Sequence, residues 1–332
     1  MSFYKSMSVF FCLFLVACGG SDDKSSVSPT IPATAVPTGT VSIAISDSPM
    51  KGVVAVMLQL DELVMTDAAN IEHHYSLQHK RLNLLNYPGS QSATIVDGLS
   101  IPVGDYHNVY MSVIAGDGNN GCYVEDGQGI HPMQVEDDQL PLMNFSVADN
   151  QHSRFTMEVG LYMGLNHDQN YNYTLSHHGS WSINNAVMGH LLGEMDPQWI
   201  AECEANHAAM LPSGGVFTHL VYLYSNRVTS LAQMGDMHDS MNSDHAIPIT
   251  VAPLKQDSAG NWYFAMGYLP AGTYRVGYSC LGDFDNPHTD DMQNGSFSLF
   301  ADAGTVTIKT GTHGGSQTVM QCGMGNGGHH GG

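Results

Sequence analysis

The stretch that decides the fold is Thr40-Val-Ser-Ile-Ala-Ile-Ser-Asp-Ser-Pro49, in which Val41, Ile43 and Ile45 alternate with small or polar residues. A period of two places the apolar side chains on one face of a strand, and the Asp-Ser-Pro sequence is typical of a strand end. The alternation returns in residues 54–60. Short segments of the same kind, separated by clusters of Gly, Asn, Asp and Pro, continue to residue 192. This spacing predicts a β-sandwich.

A repeated corner motif extends this interpretation to the rest of the chain. Residues 101–106 (IPVGDY) and 269–274 (LPAGTY) share the order apolar-Pro-x-Gly-x-Tyr, and an apolar strand follows each. In such a corner Pro presets φ, Gly takes a positive φ, and the Tyr hydroxyl reaches back to the backbone. The sequence therefore predicts a mainly β protein of two tandem antiparallel β-sandwiches, immunoglobulin-like or prealbumin-like, at residues 40–200 and 205–322. Residues 197–210 are the one segment that we predict to be helical.

The N-terminus has the pattern of a bacterial lipoprotein signal. Lys5 precedes a short apolar run that ends in Leu15-Val-Ala-Cys18. The run is too short to cross about 30 Å of hydrocarbon, so we expect cleavage after residue 17 and acylation of Cys18. Residues 18–39 are rich in Ser, Pro and Thr and predict a disordered tether. Gly19, in place of an Asp, favours the outer membrane, facing either the periplasm or the medium.

Charge and missing motifs limit the function. Ten Lys and Arg oppose 31 Asp and Glu, for a net charge of −21, which excludes nucleic acid as a partner. The sequence has no GxSxG, HExxH or P-loop motif, and the GxGxxG at residues 116–121 precedes a predicted strand where a dinucleotide would need a helix. We therefore expect a non-enzymatic envelope protein that binds or supports a glycan, a protein or another surface component, anchored to the membrane by its lipid.

The cysteines predict disulfide bonds. Once Cys12 is cleaved off and Cys18 is acylated, Cys122, Cys203, Cys280 and Cys322 remain in an oxidising compartment. Four cysteines allow two bridges in three pairings, which the spacing does not separate.

A loop rich in Met and His suggests an alternative function in periplasmic copper binding or handling. The chain has 20 Met and 18 His. Met234, Met237, His238 and Met241, with His245 as a further contributor, offer thioether and imidazole ligands, the set that suits Cu(I). The competing interpretation is a polar loop in a protein that uses both residues freely. His329 and His330, in the Gly/His-rich tail of residues 323–332, suggest a weaker metal-binding segment.

Two further groups of residues suggest ligands. Asp283, Asp285 and Asp290, together with Asn286 and Asp291, offer the oxygen ligands that Ca²⁺ prefers, although the spacing is not that of an EF-hand and a solvated acidic turn is the alternative. Three Trp residues are candidates for a sugar-binding platform or for the core: Trp181, Trp199 and Trp262.

The chain resembles an uncharacterised family of Gram-negative lipoproteins built around a domain of unknown function. The motifs that carry the resemblance are residues 39–49, residues 54–65, Leu82-Asn-Leu-Leu85 and Ile101-Pro-Val-Gly-Asp-Tyr106. Residues 221–224, residues 269–280 and Asp283-x-Asp285-x-Pro287 resemble the carbohydrate-binding-like or carboxypeptidase-regulatory-like sandwich that often follows. The resemblance implies a fold and a cell-envelope location, but no activity.

The resemblance also implies that Cys203 and Cys280 form a recurring pair, between the start of the second domain and the strand after its Gly-x-Tyr corner. Cys122 is then left to pair with Cys322. The competing arrangement has one bridge in each domain, Cys122–Cys203 and Cys280–Cys322.

Overall fold

The described part of the chain folds mainly into β-strands, which assemble into four sheets. The computed structural model describes residues 36–48, 50, 52–117, 120–238, 244–311 and 315–323. The predicted signal peptide, Cys18 and the residues of the tail from 324 onward lie outside these ranges. No helix within the described residues is long and apolar enough to cross a membrane.

The first half of the described chain forms two sheets around one hydrophobic core. Its strands are β1 Thr38–Ser48, β2 Val53–Asp67, β3 Glu72–Asn83, β4 Ala93–Pro102, β5 Gly104–Val113, β6 Tyr123–Asp126, β7 Gly129–Val135, β8 Gln139–Pro141, β9 Phe145–Val147, β10 His152–Gly160, β11 Leu165–His167, β12 Tyr173–Leu175 and β13 Trp181–Asn184. Sheet I has the order β13-β10-β1-β4, and sheet II has the order β11-β12-β7-β6-β2-β5-β8, with β3 beside β2 and β9 beside β5. Val41, Ile43 and Ile45 are at most 1% exposed, as the alternation in β1 predicts.

The second half forms sheets III and IV around a separate core. Its strands are β14 Met188–Met195, β15 Leu220–Ser225, β16 Thr250–Pro253, β17 Lys255–Gln256, β18 Trp262–Pro270, β19 Gly272–Ser279, β20 Ala301–Ile308 and β21 Ser316–Cys322. Sheet III has the order β17-β18-β14-β21, and sheet IV has the order β16-β15-β19-β20. Tyr222, Tyr224 and Tyr278 are fully buried in this core.

Helices are short, as predicted. They are α1 Leu161–Gly164, α2 Pro197–His207 and α3 Asp291–Asn294, with 3₁₀ turns at Leu84–Asn86, Glu136–Asp138, Asn185–Val187, Ala208–Met210, Leu231–Gln233 and Gly282–Phe284. The predicted helix at residues 197–210 is confirmed as α2 and the 3₁₀ turn after it. Asp196 caps α2 by accepting a hydrogen bond from the Gln198 N–H, and Pro197 occupies the first turn, where no backbone donor is needed.

Both predicted tyrosine corners are present. The Tyr106 hydroxyl donates to the Pro102 carbonyl oxygen at 2.9 Å, and the Tyr274 hydroxyl donates to the Pro270 carbonyl oxygen at 2.7 Å. Gly104 has the expected positive φ, at 155°, but Gly272 does not belong to the residues with positive φ. The two corners therefore share the hydrogen bond from the tyrosine hydroxyl to the proline carbonyl, but they do not share the glycine conformation.

The sheets differ from the prediction in direction. β1 pairs in parallel with β10, β7 with β12 and β14 with β21, so three pairs depart from the expected antiparallel arrangement. In each pair the strands are far apart in sequence, and a long connection lets the chain return to the same end of the sheet, which a hairpin does not allow. The residues after the GxGxxG motif form β6, as predicted.

The two cores meet along a seam, where β1 and β10 of sheet I face β18 of sheet III. The Trp181 indole N–H donates across it to the Tyr268 carbonyl oxygen at 2.9 Å, and the Tyr268 hydroxyl donates to the Ser90 carbonyl oxygen at 3.1 Å. Sheet III already begins at Met188, before the predicted boundary at residues 200–205, and the described residues cluster as one compact unit. Two separately folding domains stay a prediction.

Candidate functional site

An aromatic cleft is the candidate binding site. Its volume is about 350 Å³, and its lining residues are Met50, Tyr162, Phe217, Thr218, His219, Pro253, Leu254, Lys255 and Trp262. Ligand pockets in proteins commonly have volumes of about 300–1,000 Å³ and combine apolar walls with a few polar groups. The cleft has this composition.

Several elements bring these side chains together. Tyr162 comes from α1, Trp262 begins β18, and Phe217 and His219 lie directly before β15. The centroids of the His219 and Trp262 rings are 5.2 Å apart, and the planes are tilted by 57°. Tyr162, Phe217 and Trp262 are only partly buried, so aromatic surface is accessible in a concave site.

Hydrogen bonds fix the orientation of His219 at this cleft. Its Nδ1 lies 2.8 Å from the Tyr278 hydroxyl, and its Nε2 lies 3.2 Å from a Glu204 carboxylate oxygen. His219 is buried, with an exposed fraction of 8%. An imidazole with both nitrogens engaged holds a wall of the cleft in place, and Lys255 supplies an exposed positive charge at the rim.

A Ser/His pair that the sequence did not reveal lies elsewhere. Ser42 Oγ is 2.9 Å from His152 Nε2 and donates to Asp97 Oδ1 at 3.1 Å. In a Ser-His-Asp triad the carboxylate binds the histidine, whereas here it binds the serine. The geometry does not match that catalytic arrangement.

The structure corrects the proposed convergence of soft ligands in the Met/His loop. Met234 and Met237 are 0% and 1% exposed and belong to the second core, where the Met234 sulfur packs over Gly277. His238 Nδ1 donates to the Pro287 carbonyl oxygen at 3.2 Å, and His245 is exposed. The two buried thioethers thus stabilise the core. Met241 lies outside the described residues, and copper binding stays a prediction.

The predicted calcium ligands do not converge either. Asp283 is exposed, and Asp290 caps α3 by accepting from the Gln293 N–H at 2.8 Å. Among the described residues, the one group of three His, Cys, Asp or Glu ligand atoms close enough to share a metal is Cys203, His207 and Cys280. Two of these are joined in a disulfide. The carboxylates of Asp285, Asp290 and Asp291 instead accept hydrogen bonds within and between their loops.

Three buried carboxylates, here called the loop carboxylates, join two loops of the second half: Asp236, Asp285 and Asp291. Asp236 accepts from the backbone N–H groups of His238, Asp291 and Met292. Asp291 accepts from four donors between residues 286 and 296. Asp285 accepts from the Met237 N–H at 3.0 Å. Backbone donors that would otherwise be orphaned are satisfied in this way.

Asp285 is the least satisfied of the three. Its second carboxylate oxygen is buried without a hydrogen-bond partner of normal geometry. Burial is the main cause that raises the pKa of Asp285 to about 7, against the lowering effects of the Met237 N–H and the nearby Tyr222 hydroxyl, while the charges of Asp236 and Asp291 raise it further.

A second group of buried acids, here called the seam carboxylates, consists of Asp47 and Glu158. Both residues are 0% exposed, and none of their four carboxylate oxygens has a hydrogen-bond partner of normal geometry, although the nearby Ser46 hydroxyl lowers the pKa of Glu158. Burial raises the pKa of both groups well above the usual range, partly offset at Asp47 by the charge of Lys255. The Asp-Ser-Pro sequence predicts a strand end, and β1 does end within it, at Ser48. A lone Glu within the apolar run of residues 155–161 is the sequence signal for the second acid.

The cysteines follow one of the predicted pairings. Cys203 and Cys280 form a disulfide, as the resemblance implies. The second predicted bridge, Cys122–Cys322, is wrong, and so is the arrangement with one bridge in each domain. Cys122 and Cys322 are unpaired and buried in different cores, which separates their sulfur atoms. Burial raises the pKa of Cys122 to about 11 and that of Cys322 to about 12.

The three Trp residues have three different positions. Trp199 is 4% exposed and belongs to the second core, Trp181 lies at the seam, and Trp262 lines the cleft. They do not form one platform, and Trp262 alone contributes to the candidate binding site.

Comparison with protein families finds a match in the first half of the chain. Residues 38–176 are similar to a family described as "Domain of unknown function (DUF4382)". This match supports the resemblance to a domain of unknown function for the first half of the chain. A search of curated proteins finds no match.

Comparison with solved structures finds remote likenesses. A leucine-rich repeat protein from Bacteroides thetaiotaomicron is 13% identical with a TM-score of 0.21; the match covers 87% of this chain, and this chain spans 26% of that protein. The shaft pilin spaA from Lactobacillus rhamnosus GG is 8% identical with a TM-score of 0.20, covering 86% and 98% of the two chains. A fimbrial anchor protein from Porphyromonas gingivalis is 8% identical with a TM-score of 0.18, covering 76% and 82%. TM-scores this low carry no argument about fold or function.

Proposed function

We propose that this chain is a lipid-anchored cell-envelope protein that binds a neutral glycan in the aromatic cleft. The accessible aromatic surface of the cleft is the single observation that carries the proposal. The faces of Trp and Tyr rings offer rigid apolar surface to the C–H groups of a sugar ring, and the polar groups beside them bind its hydroxyls. Trp262, Tyr162 and Phe217 provide the first kind of contact, and Lys255 provides the second.

The charge of the chain selects among glycans. With a net charge of −21, the protein repels anionic polysaccharides over most of its surface. Lys255, an exposed basic residue at the rim of the cleft, offsets little of this negative electrostatic field. A neutral sugar meets no such repulsion, so its affinity for the cleft does not depend on the salt concentration.

Binding to immobilised neutral oligosaccharides, followed by calorimetric titration of those that bind, tests the proposal. We expect Trp262→Ala and Phe217→Ala each to weaken binding about tenfold or more, because both remove ring surface from a concave site. Tyr110→Ala is the matched control, since Tyr110 is a partly exposed aromatic residue on β5, away from the cleft. Equal affinity of the wild type and both cleft variants, or no binding of any neutral oligosaccharide, would refute the proposal.

The location rests on the N-terminal pattern, since Cys18 lies outside the described residues. Acyl chains on Cys18 contribute about 0.8 kcal/mol per buried CH₂, which anchors the protein firmly. We expect Cys18→Ser to release the protein into the soluble fraction of cells. Sedimentation of this variant with membranes after a salt wash would contradict the lipid anchor.

A further inference from the structure

We propose that a second cleft, here called the polar cleft, binds a sugar acid, that is, a sugar that carries one carboxylate. The polar cleft has a volume of about 620 Å³ and shares no lining residue with the aromatic cleft. It lies where β10 begins and β13 ends, which is one end of sheet I because the two strands are antiparallel. The proposal rests on three features: the charge of the lining, an arginine without an acidic partner, and the orientation of the polar side chains.

The charge of the lining is the first feature. The chain has 31 Asp and Glu against 10 Lys and Arg, yet none of the described residues that line the polar cleft is acidic. Arg154 gives the lining one permanent positive charge. Asp97 and Asp105 each accept a hydrogen bond from a serine beside the cleft, but both acids are exposed to water, which screens their charges.

The second feature is that Arg154 has no acidic partner. Its guanidinium takes part in no ion pair within the described part of the chain, whereas Arg275 is paired with Asp302. A guanidinium presents its N–H groups as a planar fork, which binds a carboxylate through two parallel hydrogen bonds. One positive charge balances a monoanion, while a phosphate ester with nearly two negative charges would keep one of them unbalanced. The free fork therefore favours a carboxylate ligand.

Two oriented asparagine amides are part of the third feature. The side-chain oxygen of Asn184 accepts from the Ala186 N–H at 2.9 Å, and that of Asn185 accepts from the Thr156 hydroxyl at 3.0 Å. Because each oxygen is occupied, the NH₂ group is the part of each amide that is left for a ligand. Both the carboxylate and the hydroxyl groups of a sugar acid can accept hydrogen bonds from these donors.

His152 adds an acceptor of fixed orientation. The Ser42 hydroxyl lies 2.9 Å from His152 Nε2. This hydroxyl donates its one proton to Asp97, so it accepts from His152 Nε2, and Nδ1 of the neutral ring is left to accept from a ligand hydroxyl. The guanidinium, the two amides and this acceptor together suit a ligand that combines a carboxylate with hydroxyl groups.

The first test uses the mature chain, purified from membranes in detergent, and three probes: D-glucuronate, D-galacturonate and N-acetylneuraminate. Ligand-observed saturation-transfer NMR follows each titration. We expect at least one of these sugar acids to bind saturably. Its methyl ester should bind about tenfold more weakly, because the ester keeps the hydroxyls and loses the charge that Arg154 binds.

Two substitutions test the lining residues. Arg154→Gln removes the positive charge, and Asn185→Asp replaces an N–H donor by a negative charge while its oxygen can still accept from Thr156. We expect each to weaken binding of the sugar acid by about tenfold. Arg227→Gln, the same substitution at an exposed Arg after β15, is the matched control and should preserve the affinity. Near-UV circular dichroism checks that the variants are folded.

The aromatic cleft supplies the last control. Trp262→Ala should leave binding of the sugar acid unchanged, so this result and the binding of neutral oligosaccharides test the two clefts separately. The proposal is overturned if none of the three sugar acids binds saturably, if the methyl ester binds as tightly as the acid, or if folded Arg154→Gln binds as the wild type does. Loss of sugar-acid binding in Trp262→Ala would also overturn it, because the ligand would then occupy the aromatic cleft.

Discussion

The loop carboxylates and the seam carboxylates are both buried, yet the first group accepts several hydrogen bonds of normal geometry and the second accepts none. Asp236 and Asp291 accept from backbone N–H groups and side chains of their two loops. Asp47 and Glu158 lie on strands whose backbone groups are already paired within sheet I. A loop can turn its free N–H groups toward a carboxylate, and a strand cannot. The acids of the loops therefore act as structural acceptors, while burial favours the protonated form of Asp47 and Glu158.

The largest expected effect is at Asp236, which accepts three backbone N–H groups at 4% exposure. Asp236→Ala leaves these donors buried without an acceptor, and each such loss costs about 1–3 kcal/mol. We expect the free energy of unfolding to fall by about 3 kcal/mol or more in urea denaturation. Asp283→Ala, at an exposed acidic residue of the same region, is the control and should change it by less than about 0.5 kcal/mol. Similar losses in both variants would show that the hydrogen bonds of Asp236 do not stabilise the loops.

Asp285 lies between the two groups in behaviour, because one of its oxygens is satisfied and the other is not. Its pKa is raised from 3.8 to about 7 in the folded state, so the folded protein binds the proton more tightly than the unfolded chain. The stability contributed by this proton is present below pH 4 and is lost as pH rises to 7. Comparison of urea unfolding of wild type and Asp285→Asn from pH 4 to pH 8 should show a smaller loss in the variant. Parallel curves would contradict the raised pKa.

The contrast between partnered and unpartnered buried groups also applies to the cysteines. Cys203 and Cys280 form a disulfide, whereas Cys122 and Cys322 are free and buried. The prediction for the free thiols concerns their reactivity and not the stability of the protein. Because burial raises the pKa of Cys122 and Cys322, neither thiol forms a reactive thiolate at neutral pH. Alkylation without reduction should label no thiol in the native protein and both after unfolding. If mass spectrometry instead finds no labelled thiol after unfolding, a second disulfide exists and the two cores are arranged differently.

Local patterns predict those parts of the structure that depend on local chemistry. The alternation in β1, the helix α2 with its Asp196 cap, and the hydroxyl bonds of Tyr106 and Tyr274 each follow from a few neighbouring residues. The pairing of Cys203 with Cys280 follows from a family resemblance. These features could be predicted because each is determined within a strand, a turn or a known motif.

The candidate sites depend on contacts between distant segments, so the sequence predicts little of them. Asp47 and Glu158 lie on neighbouring strands because β1 and β10 pair in parallel, which no local pattern reveals. Trp262 is a plausible sugar contact from its residue type, but Phe217 and Tyr162 join it only in the folded chain. Met234 and Met237 have the spacing of a ligand pair and nevertheless belong to the core, because the same apolar thioether suits both environments.

The most direct test of the central comparison measures the free energy of unfolding of wild type, Asp47→Asn and Asp236→Asn in urea at neutral pH. We expect Asp236→Asn to be destabilised, because three backbone N–H groups lose their carboxylate acceptor. We expect Asp47→Asn to be at least as stable as the wild type, because it removes a buried acid whose oxygens accept no hydrogen bond. A loss of stability for Asp47→Asn as large as that for Asp236→Asn would contradict the account.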